Sequence, residues 1–99
     1  MSIFNTIKKS GLPCAYSRFK TRQTPPFVVY LGDGQTVLRA DDTHYWHENK
    51  YQIEYYFTEK NEAAESAFES ILLADGYQFE RSEDTFIESE GVFVIYYYV

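Results

Sequence analysis

His44 and His47 stand three residues apart beside Asp41, Asp42 and Glu48, residue types from which metal sites are built. Two histidines at that spacing share a face only on a helix; on a strand they point to opposite sides. The flanking sequence is strand- or loop-like, and no third and fourth ligand stand at a recognised spacing. The pair reads as exposed polar residues, and no metal is expected. Cys14 is the single cysteine, so an intramolecular disulfide and a cysteine-only metal cage are excluded. No basic group lies beside it in sequence to lower its pKa, so it reads as a small buried hydrophobe and not as a nucleophile. Glu88 and Glu90, two apart, could share a strand face as a general acid–base pair, but Gly91 after them points to an exposed turn. Gly32-Asp33-Gly34 has neither the lysine nor the following helix of a phosphate cradle. The sequence therefore predicts no catalytic residue, no cofactor and no enzyme.

What it offers in place of chemistry is aromatic area. Ten Tyr, eight Phe and one Trp make up 19% of the 99 residues. A chain of this length hides only about 60–65% of its unfolded surface, so it has little core space for so many rings. Aromatics suit interfaces as well as cores, because they bring large contact area and, in Tyr and Trp, one polar tip. Fifteen Asp and Glu against nine Lys and Arg give a net charge of −6. That sign argues against gripping phosphate backbones or an anionic membrane surface. No apolar run approaches the ~18 residues that cross a bilayer. The first nine residues have no apolar h-region, so no signal peptide is expected, and a reducing cytosol fits.

The elements that must carry these residues follow from periodicity. Ser2 can cap a helix over 2–10, with Ile3, Phe4 and Ile7 on one face and Lys8 and Lys9 at its cationic end; Gly11 stops it and Pro13 blocks continuation. Cys14–Phe19 reads as a strand, and Lys20–Pro26 as a polar loop that cannot pair. Phe27–Leu31 is a continuous apolar strand, Gly32–Gln35 carries turn residues, and Thr36–Ala40 is a return strand, which together predict a hairpin. Tyr51–Phe57 alternates Tyr51, Ile53, Tyr55 and Phe57 with Gln52, Glu54 and Tyr56, the pattern of a half-buried antiparallel strand whose start extends back towards Tyr45. Thr58 or Asn61 caps a helix over 61–75 with the stripe Ala64, Ala67, Phe68, Ile71 and Leu72, leaving Glu62, Glu65 and Glu69 as a solvated face; Gly76 ends it. Tyr77–Arg81 and Phe86–Glu88 are short strands, and Val92–Val99, apolar on both faces, is a central one. The expected architecture is a single α+β domain over 1–99 with two helices and a mainly antiparallel sheet, in the order α-β-β-β-β-α-β-β. The Lys20–Pro26 loop and the Asp41–Lys50 stretch interrupt strand pattern and are long enough to project. Within them Thr24, Pro25, Asp41, Asp42, Tyr45, Trp46 and His47 are the candidate oligomer or partner contacts.

Several stretches together carry a resemblance: Gly11-Leu12-Pro13-Cys14-Ala15-Tyr16-Ser17-Arg18-Phe19, Pro25-Pro26-Phe27-Val28-Val29-Tyr30, Ala40-Asp41-Asp42, the acidic helix around Phe68, and Ile87-Glu88-Ser89-Glu90 before the tyrosine-rich end. The chain resembles small tail terminator, tail completion or head–tail joining proteins of long-tailed bacteriophages and prophages. The resemblance implies a structural virion-assembly protein whose subunits form a ring, typically a hexamer, at the head-proximal end of the tail tube. Its implied partners are further copies of itself, the tail tube protein and head connector proteins. DNA would pass through the ring without tight binding, which an acidic lumen permits, and no membrane is involved. The implied location is the virion tail or neck, with the host cytoplasm before assembly. The competing expectations are another minor head–tail connector protein, or a small acidic cytoplasmic binding module that regulates a partner through the same aromatic surface.

Overall fold

The computed structural model describes residues 2–39 and 45–99, with side chains described for 2–34 and 50–99. Two helices, α1 (Ile3–Lys8) and α2 (Glu62–Ala74), accompany six strands: β1 (Cys14–Tyr16), β2 (Phe27–Arg39), β3 (Tyr45–Phe57), β4 (Glu80–Arg81), β5 (Thr85–Ile87) and β6 (Val92–Tyr98). The fold is α+β, as the pattern predicts. The strands form one sheet in the order β1-β2-β3-β6-β4, with β5 also on β6. Only the β1–β2 pair is parallel; β2–β3, β3–β6, β4–β6 and β5–β6 are antiparallel.

β6 lies inside the sheet, as its two-sided apolar sequence requires, with β3 on one flank and β4 and β5 end to end on the other. Ser82 bridges the gap between those two short strands. Its backbone N–H donates to the Tyr96 carbonyl at 2.8 Å and its Oγ accepts from the Tyr96 N–H at 2.9 Å. A side chain thus stands in where a backbone carbonyl would continue the ladder.

Both helices pack on one face. Ile3 and Ile7 of α1 and Phe68 and Leu72 of α2 meet Val28, Ile53, Tyr55, Phe57, Ile95 and Tyr97 in one core. Asn61 caps α2 by accepting from the Ala64 N–H at 3.0 Å, and Ser2 caps α1 by accepting from the Asn5 N–H at 3.1 Å. At the other end of α2, Gly76 takes φ +87°, and the N–H groups of Gly76 and Tyr77 close onto Leu73 and Leu72, the usual way a glycine releases a chain from a helix. Asp75, the C-cap of α2, sits where the helix dipole disfavours a carboxylate. Lys9 Nζ at 2.8 Å and Thr6 Oγ1 at 2.7 Å offset this and tie α1 to α2; the Lys9 bond first, then that from Thr6, holds the Asp75 carboxyl below its ordinary pKa.

Three expectations are corrected. Gly32–Gln35 is not a turn: β2 runs unbroken from Phe27 to Arg39, and the former two strands of the expected hairpin are one. Pairing passes from Gly32↔Tyr51 to Gln35↔Asn49, so Asp33 and Gly34 oppose Lys50 alone, a bulge that Gly34 at φ +83° accommodates. The same Gly-rich chemistry serves a bulge and a turn. The first strand ends at Tyr16, because Ser17 adopts φ +67° and Arg18 N–H folds back onto the Tyr16 carbonyl at 2.7 Å. The buried stripe of α2 is Glu65, Phe68 and Leu72, with Ala64 and Ile71 half-buried and Ala67 exposed. Phe68 and Leu72 set the direction in which the helix packs. At 100° per residue Glu65 falls about 60° from Phe68 and inside the buried arc, whereas Ala67 lies about 100° away and outside it.

Candidate assembly surface

The face of the sheet turned away from the helices is built by the other half of each strand's alternation. Phe27, Val29 and Leu31 of β2 stand opposite Tyr56, Glu54 and Gln52 of β3, which in turn stand opposite Val94, Tyr96 and Tyr98 of β6. At the centre of this face the Glu54 carboxylate accepts from the Tyr56 hydroxyl at 2.5 Å and from Gln52 Nε2 at 3.0 Å. Burial, and then the bond to Glu54, push the Tyr56 hydroxyl well above the usual tyrosine pKa, so it is a fixed donor at neutral pH. Tyr56 stacks on Phe27 with ring centroids 4.8 Å apart, and Phe27 meets the edge of Phe19 at 5.5 Å. Phe19 belongs to the 17–26 loop, which folds over one end of the face and leaves a cleft of about 290 Å³ with Arg18 and Arg22 on one wall and Glu54 and Glu90 on the other. Further along the face Tyr96 and Tyr98 stack at 6.4 Å, and Tyr98 is exposed.

A second surface feature is a projecting ribbon. Residues 27–32 of β2 and 51–57 of β3 lie within the sheet, whereas 35–39 and 45–49 pair only with each other among the described residues. A strand of 13 residues is about 43 Å long. The ribbon therefore accounts for the long axis of a molecule measuring 51 × 25 × 23 Å. Two strands without a third, or without a covering layer, are marginal in water.

The candidate contact residues divide between these features. Thr24 is exposed and Pro25 half-buried on the loop that walls the cleft. Tyr45, Trp46 and His47 begin β3, in register with Arg39, Leu38 and Val37; the strand reaches back to Tyr45 as its pattern predicts, and the stretch expected to interrupt it is part of it. Asp41 and Asp42, and His44 of the His-x-x-His pair, lie outside the described residues. The two groups are not brought together: from Phe27, next to the loop, to Val37 is ten residues of strand, about 33 Å. They define two surfaces at opposite ends of the β2–β3 pair.

The acidic face assigned to α2 is also revised. Glu65 is 2% exposed. Its Oε1 accepts from Lys60 Nζ at 2.9 Å and Arg81 Nη2 at 2.7 Å, and its Oε2 is buried without a hydrogen-bond partner among the described residues. Arg81 reaches on to Glu69 at 2.5 Å, and Glu69 accepts from the Tyr97 hydroxyl at 2.8 Å. Asp84 completes the network through Lys60 at 2.8 Å. Burial and then the Glu69 bond raise the Tyr97 pKa far above its ordinary value, so this hydroxyl is a donor and not a base. The network holds paired charges and no nucleophile, and its geometry fastens α2 to β4 and β6. Sequence periodicity hides it, because an acidic residue on a helix reads as solvated until its basic partners, here Lys60 and Arg81, are placed. No group of three or more potential metal ligands occurs among the described residues. Cys14 is half-buried, and its burial, only partly countered by Lys8, raises the thiol pKa away from reactivity.

No family model matches the chain, and no curated protein or solved structure matches it.

Proposed function

We propose that the protein is a structural subunit of the head–tail joining region of a long-tailed phage or prophage, a tail terminator or completion protein that forms a ring at the head-proximal end of the tail tube. The observation that supports this most is the β2–β3 ribbon, ten residues of backbone that bond to no third strand among the described residues and extend well past the sheet. A ribbon of that kind is an arm in search of a covering surface, and a neighbouring subunit or the tail tube supplies one. The open sheet face adds large aromatic area at low entropic cost. The resemblance across nearly the whole chain supplies the ring, its hexameric count, its contacts with tail tube and head connector proteins, and the passage of DNA. A net charge of −6 suits a lumen through which DNA slides.

Trp46 on the ribbon is the residue to test. As an anchor, Trp46→Ala leaves the subunit's unfolding midpoint nearly unchanged but abolishes ring formation, read by native mass spectrometry, and the joining of tails to heads in an assembly extract. A loss of about 3–5 kcal/mol in the isolated subunit would instead make Trp46 a core residue, and normal assembly with unchanged stability would overturn its role as an anchor.

A further inference from the structure

Charge is distributed along this chain with a strong bias. Five of the nine basic residues, Lys8, Lys9, Arg18, Lys20 and Arg22, lie before residue 33, and none of the fifteen acidic residues does. The helix and strand that open the chain lie at one edge of the sheet, and the acid-rich 80–90 stretch lies at the other. β1 is one outer strand, and β4 with β5 forms the other. Lys8, close enough to act on the Cys14 thiol, stands by β1, and Lys20 lies in the loop that follows it; both are exposed and neither forms an ion pair with another described residue. Arg18 and Arg22 line the cleft with Glu54 and Glu90, which leaves Lys8 at this edge and Lys20 in the loop after it as exposed cations without an ion pair among the described residues. On the far edge Asp84 is engaged by Lys60 and Arg81, but Glu83 and Glu88, which flank β5, are exposed and form no ion pair with another described residue.

Each edge also displays one large ring. Tyr16 of β1 is 59% exposed and Phe86 of β5 is 52% exposed. Both lie on the helix-bearing side of the sheet. Tyr16 meets the edge of Tyr30 at 5.2 Å, and Tyr30 in turn packs towards Phe4 of α1; Phe86 packs on Phe93 at 4.9 Å, and Phe93 stacks on core Phe57. A second copy set edge to edge therefore keeps its helices on the same side, brings a ring against a ring, and places cations against carboxylates.

We propose that the basic β1 edge of one subunit docks on the acidic β5 edge of the next, a head-to-tail contact between copies of this chain. Such a contact uses two different patches on each subunit, so it repeats, and a suitable rotation per subunit closes it into a ring. The backbone offers little to this contact, because β1 and β5 are three residues each and the Tyr16 carbonyl is already occupied by Arg18. Side chains carry it. The inference rests on the ring-forming reading above and specifies which surfaces make the ring.

Charge-swap complementation tests it. One variant carries Lys8→Glu and Lys20→Glu, and the other carries Glu83→Lys and Glu88→Lys; circular dichroism confirms that each is folded. In sedimentation velocity the wild-type protein self-associates, and raising salt from about 0.05 to about 0.5 M weakens the association. Each variant alone, with like charges on both edges, associates at least tenfold more weakly than wild type. An equimolar mixture of the two recovers assembly, because each presents to the other the charges it lost. Assembly of either variant alone at wild-type strength, failure of the mixture to recover, or a wild-type protein that stays monomeric throughout would overturn the edge contact. The two proposals fail separately. Assembly that ignores the swaps but still caps tails removes the edge contact and leaves the head–tail reading standing. Edge-driven assembly that does not bind tail tubes does the reverse.

Discussion

Along β3, Ile53, Tyr55 and Phe57 point one way and Gln52, Glu54 and Tyr56 the other, and the two sides of the sheet meet different fates. The first set lies under two helices, with Ile53 wholly buried and the rings of Tyr55 and Phe68 at 5.3 Å. The second faces outward, covered at one end by the 17–26 loop. Both sides are aromatic, so ring content does not separate core from surface here. What separates them is the company the rings keep. On the covered side, tyrosine hydroxyls are drawn into a charged network at the rim, as Tyr97 is to Glu69. On the open side the carboxylate sits in the middle of the face, where Glu54 holds Gln52 and Tyr56 and keeps the surface wettable.

That contrast breaks most readily at Phe68. Truncation to alanine empties the centre of the covered side, where Phe68 is 2% exposed between Tyr55 and Tyr97. Chemical denaturation of Phe68→Ala should show a loss of about 3–5 kcal/mol, and a loss below about 1 kcal/mol would mean that the helices do not cover this side. The rim network gives the next largest effect, and an asymmetric one. Arg81→Ala leaves the buried Glu65 carboxylate with Lys60 alone and should cost about 2–3 kcal/mol. Glu65→Met removes a buried charge that already has one unpartnered oxygen. Its partners Lys60 and Arg81 keep Asp84 and Glu69, so this change should be nearly neutral or stabilising. Equal losses in the two variants would show that the pair, and not the burial of Glu65, decides the energy.

A pH titration sharpens the same side at its helix junction. The pKa of Asp75 is lower in the folded chain than in the unfolded one, so the stability it contributes is present above about pH 4 and is lost as pH falls through the folded value. Asp75→Asn should lower the neutral region towards its acid value and so flatten the acid limb of the stability curve; an unaltered acid limb would exclude the Lys9–Asp75 contact as its source. The smallest effect belongs to the open side. Tyr56→Phe removes one bond to Glu54 on a half-buried residue and should cost less than about 1 kcal/mol by urea unfolding, far below Phe68→Ala. A comparable cost would show that the open side is a second core.

Much of the covered side is legible in the sequence, because alternation at 51–57 and a capped amphipathic helix leave few arrangements for the apolar residues. Asn61 and Gly76 mark the ends of α2 by chemistry that acts within a few residues. Two features escape for non-local reasons. Gly32-Asp33-Gly34 satisfies the backbone needs of a hairpin turn and of a bulge equally, and only the pairing of Gln35 with Asn49 decides between them. Glu65 looks solvated until Arg81, sixteen residues away, is folded against it. The candidate surface suffers from the same blindness to distance. Thr24 and Trp46 both lie in stretches that read as projecting contacts, and a single strand of 13 residues sends them to opposite ends of the β2–β3 pair.

The broken outer flank of β6 has a consequence for how the chain avoids itself. Val92–Val99 is eight residues of valine, isoleucine, phenylalanine and tyrosine with no charge, proline or glycine, the composition from which amyloid spines are made. In the folded protein that segment is roofed on one flank by β3 and on the other by two short strands, with the Ser82 hydroxyl filling the interval. An incoming copy finds no long ladder to extend. During synthesis the segment emerges after β2 and β3, when the flank that receives it already exists. A single serine, by plugging the seam between two fragments of strand, helps keep the most fibril-prone stretch of the chain out of reach of its neighbours.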